Sequence, residues 1–168
     1  ILNSLTTVLF YRTLTIFDQN KFFSLFYAVC FSILANPSMG TPFPDHFSTF
    51  FSLIGIFFFL FAIKNNKKIF WFLIPICFFI AFFCKQSPSS YILIVLLISF
   101  CIYLFSQRKF SSIKYLALST IFCLVSFSVF IIVNEINIKQ FLYQYILFPQ
   151  TIGEKRMNEY HFTFNSIF

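Results

Sequence analysis

Two pairs of polar residues stand beside long apolar segments, Asp45-His46 and Lys85-Gln86. The Asp45 carboxylate beside an imidazole can bind a metal ion or orient a hydroxyl acceptor at the membrane surface, whereas the Lys85 cation can bind a lipid phosphate at the level of the head groups. Two ligands are too few for a protein metal site, which usually has three or four, so no metal ligand is assigned and a divalent metal cofactor is left open. In the structural alternative, Asp45 and His46 cap a helix and Lys85 anchors a helix end at the membrane surface.

A third group of polar residues follows an aromatic stretch near the end of the chain. Residues 143–150 are aromatic and amphipathic, and they lead to Lys155 and Arg156. Two adjacent cations beside aromatic side chains can bind the anionic head group of a lipid. The structural alternative is an aromatic belt at the membrane interface, followed by a charged turn.

The segments that carry these residues are strongly apolar. Of the 168 residues, 59% are hydrophobic and 10% are charged, whereas soluble domains are about 25% charged. This composition predicts a membrane protein, because too little polar surface remains to cover a soluble domain. The net charge of +7 does not indicate nucleic-acid binding, because most basic residues lie in short clusters between apolar segments.

The apolar segments predict an all-α fold, a polytopic transmembrane helical bundle. Barrel strands need about 10 alternating residues, and these segments are longer and do not alternate. A membrane-spanning helix needs about 20 apolar residues, with about 17 as a lower limit. We expect a transmembrane region over residues 1–133, with five to six membrane segments, and an extracytoplasmic interfacial tail over 134–168. The predicted segments lie near residues 1–17, 22–36, 46–63, 69–84, 90–106 and 115–133.

The basic residues also predict which helix ends face outward. Threading the segments alternately across the membrane puts more Lys and Arg on one side, and that side should be cytoplasmic. The loops at 37–45 and 85–88 and the tail then face outward, so we expect Asp45 and Lys85, at the ends of adjacent antiparallel helices, to be close together. The expected location is the bacterial inner membrane. The cytoplasmic set is Arg12, Lys21, Lys64, Lys67, Lys68, Arg108, Lys109 and Lys114; the outer set is Lys85, Lys139, Lys155 and Arg156.

The order of these features resembles one superfamily of membrane enzymes. A short helix ends in a proline-rich loop, Pro44-Asp45 opens a long apolar helix, a basic turn follows, and the next helix ends in Cys-Lys-Gln-Ser-Pro at 84–88. This layout, over residues 1–133, is similar to the integral-membrane glycosyltransferases of the GT-C type, and most of all to protein O-mannosyltransferases and aminoarabinose transferases. The resemblance implies transfer of a sugar from a polyprenyl-phosphate carrier to an acceptor on the extracytoplasmic side.

The same resemblance implies roles for individual residues. Asp45 would be the second acidic residue of the site, and Lys85 would contact the carrier phosphate. The principal catalytic aspartate of that family lies in the first outer loop, which nothing here matches, so we expect this chain to be an internal fragment that is inactive alone. Gln86 stands where the family pattern has a glycine. The predicted substrate-binding residues are His46, Lys85, Gln86, Lys155 and Arg156.

Two other functions remain open at this point, a transporter or lipid flippase segment and a non-catalytic membrane scaffold. Transporters tend to have polar or Gly/Pro-broken segments at mid-membrane, whereas Gly55 and Pro75 are the only such residues inside the long segments. A scaffold predicts that Asp45 and Lys85 can be replaced without effect. The expected partners are the lipid bilayer and a polyprenyl-phosphate-linked sugar; the sugar, the acceptor and the oligomeric state stay open.

Overall fold

The computed structural model describes residues 1–35, 43–107, 110–148 and 151. These residues form helices and contain no strand, which confirms the predicted all-α fold. The chain divides into two compact units, of which the first covers residues 1–123 and the second begins at Leu124. The helices of the described residues are α1 (Leu2–Ile16), α2 (Lys21–Leu34), α3 (Pro44–Asn65), α4 (Lys68–Cys84), α5 (Gln86–Gln107), α6 (Ser111–Val133) and α7 (Ile138–Leu142), which continues as a π-helix over Tyr143–Leu147.

Three helices within the described ranges are long and apolar enough to cross a membrane. They are α3, α5 and α6, with 22, 22 and 23 residues, which extend about 33 Å against a hydrocarbon core of about 30 Å. Helices α2 and α4 are also apolar but have 14 and 17 residues, so they extend about 21 and 25 Å. The expected membrane character is therefore supported, whereas the predicted number of five to six membrane segments is not confirmed.

Helix α3 is the central element of the first unit. It packs against α1, α4 and α5, and half of its apolar span is buried, compared with 11% of the α6 span. The exposed faces of α5 and α6 consist largely of Ile, Leu, Val and Phe side chains, which suits contact with lipid. The buried core joins three helices and consists of Phe59, Ala62, Trp71, Ile74, Phe78 and Leu96.

Helix α3 begins as its sequence predicts and ends in a tight turn. Pro44 is in the first turn, where its missing N–H costs no helical hydrogen bond, and Asp45 follows, where a negative charge complements the helix dipole. Asn66 ends the helix in the left-handed conformation, with φ of 51°. Helix α4 starts at Lys68, so the predicted basic turn after Lys64 is confirmed.

The link between α4 and α5 is a single residue, Lys85. Its backbone is extended, with φ of −162° and ψ of 133°, and α5 begins at the next residue, Gln86. The predicted break over 85–88 was therefore too long, and α5 starts before the predicted position at residue 90. The reason is that Pro88 lies in the first turn of α5, where a backbone N–H has no helical partner to lose.

Candidate functional site

Two ion pairs lie at opposite ends of α3. At one end the Lys64 ammonium nitrogen is 3.3 Å from a carboxylate oxygen of Asp18, in the turn between α1 and α2. At the other end Asp45, in the first turn of α3, pairs with Lys85. The first pair brings the α1–α2 turn to the α3–α4 turn, as the alternate threading of the helices predicts.

The Lys85 ammonium group and the Asp45 carboxylate are in direct contact. Their predicted proximity, based on adjacent antiparallel helices, is confirmed. The two side chains are 47% and 53% exposed, so the pair is open to solutes at this end of the helices. An ion pair this exposed contributes only about 0–1 kcal/mol to stability, and stability alone therefore gives little reason for its presence.

His46 caps the N-terminus of α3, which begins at Pro44. Its Nδ1 atom accepts a hydrogen bond from the backbone N–H of Phe43 at 3.2 Å, and its ring stacks on the Phe43 ring with centroids 6.1 Å apart. The lone pair of Nδ1 is thus already engaged, in agreement with the capping alternative. Among the residues that the structure describes, no group of three or more His, Cys, Asp or Glu side chains is arranged to hold a metal ion.

Two serines that sequence reasoning missed fix the backbone of Lys85. Ser48 of α3 and Ser89 of α5 both donate hydrogen bonds from Oγ to the Lys85 carbonyl oxygen, at 2.8 and 2.9 Å. Both residues are buried, with 0% and 1% of their surfaces exposed. Ser89 also donates to the Gln86 carbonyl oxygen at 3.1 Å. Each serine follows a charged residue by about one helical turn, and this spacing is the only sequence signal that would have pointed to them.

An apolar groove of about 420 Å³ lies between α3 and α5. About three and four helical turns separate Asp45 from Ile56 and Phe59, so the acid and these lining residues share one face of α3. On α5 the groove extends between about 9 and 21 Å along the helix from Lys85, at 1.5 Å per residue. The groove is lined by Ile56, Phe59, Leu60, Tyr91, Ile92, Val95, Leu96 and Ser99.

The second unit contains the start of the predicted interfacial tail. The Phe141 ring packs against Phe127 and Tyr145, with centroids 5.5 and 5.3 Å apart. Lys155 and Arg156, the predicted head-group ligands, lie outside the described residues. So do Arg108 and Lys109 and the loop at 36–42.

No protein-family model, curated protein or solved structure matches this chain significantly. A half-exposed cation and a carboxylate stand side by side at one end of apolar helices, with an apolar groove alongside. The cation of such a site can hold an anionic group at this end of the helices, and its carboxylate can accept a proton.

Proposed function

We propose that this chain belongs to a membrane glycosyltransferase that moves a sugar from a polyprenyl-phosphate carrier to an acceptor on the extracytoplasmic side. The ion pair between Asp45 and Lys85 carries the proposal. It combines a proton acceptor with a phosphate-binding cation, and both are half exposed at the end of helices that are otherwise apolar. The half-exposed charged pair suits an anionic head group at the membrane surface. The apolar helices suit a hydrocarbon chain within the bilayer.

The groove between α3 and α5 supports a lipid as the substrate. Its lining is almost entirely aliphatic and aromatic, and it begins about 9 Å along α5 from Lys85. An isoprenoid chain attached to a phosphate at Lys85 would enter it from that end. In this proposal the membrane is a bacterial inner membrane, and α1, α2 and α4 also enter it. Together with α3, α5 and α6 they give the predicted five to six segments.

The proposed reaction is a displacement at the anomeric carbon of the sugar. The acceptor hydroxyl oxygen forms a bond to that carbon, the bond from the carbon to the phosphate oxygen breaks, and polyprenyl phosphate leaves with the electron pair. Asp45 accepts the hydroxyl proton. Lys85 stabilises the negative charge that develops on the departing phosphate. His46 and Gln86 follow these two residues in the chain and are the other proposed substrate-binding residues of this site. The assignment of Lys155 and Arg156 as head-group ligands stays a prediction from the sequence.

The course of the helices favours an enzyme over a transporter. Helix α3 continues without a break through Gly55, and α4 continues through Pro75. Transporters often bind their cargo where helices are interrupted near the middle of the membrane. In the described part of this chain, the charged pair lies instead at helix ends.

The proposal is tested by sugar transfer in membranes that contain the full-length protein. Asp45→Asn and Lys85→Ala are expected to lower transfer from a polyprenyl-phosphate sugar about 100-fold or more, because each removes a group that acts in the transition state. Asp18→Asn breaks the other ion pair of α3 and is the matched control, which should keep full transfer. Expression of every variant is checked alongside. If the unmutated protein transfers nothing from any such donor, the transporter or scaffold alternative takes precedence.

A further inference from the structure

The backbone of Lys85 is held more firmly than its side chain. Lys85 follows the last residue of α4, where carbonyl groups lack partners within the helix. Two buried hydroxyl groups, from α3 and α5, donate to its carbonyl oxygen. The side chain, in contrast, is about half exposed and is held through its contact with Asp45. The ammonium group can therefore change partners while the backbone stays in place.

The pair as it stands presents neither a free cation nor a free base. The positive charge of Lys85 is balanced by the carboxylate with which it is in contact. An anionic ligand that binds Lys85 must either displace Asp45 or tolerate a like charge next to it. A pair exposed to this degree is weak, so a phosphate group can displace the carboxylate.

We propose that Asp45 is an exchangeable counter-ion of Lys85, and that the phosphate of an anionic lipid takes its place. This inference rests on the proposed function, of which it specifies the order of events. Binding of the donor phosphate to Lys85 releases the Asp45 carboxylate, which is then free to accept the proton of the acceptor hydroxyl. The site thus holds no free base until the lipid donor is bound. Ser48 is a positioning residue, which keeps the Lys85 backbone fixed during the exchange.

The exchange is tested by lipid binding, independently of sugar transfer. A polyprenyl monophosphate is titrated into full-length protein in phosphatidylcholine nanodiscs, with the uncharged polyprenol as the reference ligand. Removing the competing carboxylate by Asp45→Asn should strengthen phosphate binding by about two- to fivefold, the range expected for a half-exposed ion pair, although it lowers transfer. Lys85→Ala should weaken binding to the level of polyprenol, and Asp18→Asn should leave it unchanged.

Several outcomes overturn the exchange. Binding by Asp45→Asn that is unchanged or weaker would mean that the carboxylate orients Lys85 and does not compete for it. An equal gain with Asp18→Asn would indicate a general effect of net charge. If the unmutated protein binds polyprenyl monophosphate and polyprenol equally well, Lys85 does not bind the phosphate group. Phosphate binding without any sugar transfer would instead contradict the proposed function and leave the exchange intact.

The positioning role of Ser48 has a matched control in Ser52, one turn further along α3. Both serines are fully buried, but the Ser52 hydroxyl has no hydrogen-bond partner among the described residues. Ser48→Ala should weaken binding of the polyprenyl monophosphate about fivefold, the equivalent of about one hydrogen bond; Ser48→Thr should restore it, and Ser52→Ala should change nothing. An equal loss in Ser48→Ala and Ser52→Ala, or unchanged binding in Ser48→Ala, would remove Ser48 from the site. If Ser48→Ala does not fold, Ser89→Ala takes its place, because the Ser89 hydroxyl donates to the same Lys85 carbonyl oxygen. A similar loss of phosphate binding is then expected, and unchanged binding would overturn the positioning role of these hydroxyl groups.

Discussion

A Cβ atom on Gly55 would lie 2.6 Å from Cε2 of the Phe78 ring. Helices α3 and α4 therefore approach each other at a point where a side chain larger than hydrogen does not fit. The Phe78 ring is only 4% exposed, so it has little room to move aside. The glycine that interrupts the aromatic run of α3 is thus explained by helix packing.

Gly55→Ala is expected to destabilise the fold. The added methyl group forces the ring or the helices apart, and overpacking of this kind lowers the free energy of unfolding by about 1–3 kcal/mol. Thermal unfolding of the purified protein in detergent micelles measures the effect. Adding Phe78→Leu removes the nearest ring atom and should recover part of the loss. A midpoint equal to that of the unmutated protein would show that α3 and α4 can separate at little cost.

Ser119→Ala should weaken the attachment of α6 to α4. The Ser119 hydroxyl donates to the Phe72 carbonyl oxygen at 2.5 Å and is fully buried, and an intramolecular hydrogen bond is worth about 0.5–1.5 kcal/mol. Ser128→Ala is the matched control, because the exposed Ser128 hydroxyl donates at 2.9 Å to the Leu124 carbonyl oxygen of its own helix. Chemical denaturation of both variants compares them directly. Equal losses of unfolding free energy in the two variants would mean that the hydrogen bond between α6 and α4 adds nothing to stability.

Tyr103→Phe should leave stability unchanged or slightly raised. The Tyr103 hydroxyl oxygen is buried and has no hydrogen-bond partner within the described ranges, so its removal takes away a cost. Its ring lies 5.6 Å from that of Trp71, the single tryptophan of the chain. Tyr103→Ala should therefore lower stability and shift Trp71 fluorescence to longer wavelength. A marked loss of stability in Tyr103→Phe would reveal a partner for the hydroxyl group.

The capping role of His46 predicts a graded response to substitution. His46→Ala removes the acceptor for the Phe43 N–H and should cost about 1 kcal/mol, as other helix caps do. His46→Asn retains a side-chain acceptor and should keep most of the stability. Unfolding of both variants is measured with and without added divalent metal. A loss that appears only when metal is present would assign His46 to a metal site.

The helix positions and the proximity of Asp45 to Lys85 could be predicted from the sequence. Long apolar runs between short polar turns leave helices as the structure that satisfies the backbone in a membrane. Antiparallel threading then puts the two charged residues at the same end of neighbouring helices. The number of membrane segments could not be predicted as reliably, because a helix of 14 or 17 residues, such as α2 or α4, is near the lower length limit.

The hydrogen bonds that fix Lys85 could not be predicted from the sequence. A serine or threonine in an apolar helix commonly donates to a carbonyl one turn earlier in the same helix. Thr49 does so, with its hydroxyl 2.8 Å from the Asp45 carbonyl oxygen. The neighbouring Ser48 instead reaches across to the Lys85 carbonyl oxygen at 2.8 Å. Ser48 and Thr49 lie on different faces of α3. The face that carries Ser48 meets the Lys85 carbonyl only because α4 and α5 pack there, and the sequence does not show this packing.

The single-residue link at Lys85 makes this corner intolerant of insertions and deletions. Connections between helices usually absorb a change in length, but here no spare residue exists on either side. One inserted residue, if taken up by α5, would turn the following helix by about 100° and move it by about 1.5 Å along its axis. Ser89 would then leave the Lys85 carbonyl, and the α5 side of the groove would face a different direction. In homologous chains, therefore, the number of residues between Cys84 and Ser89 should be constrained as strongly as the identity of the lysine between them.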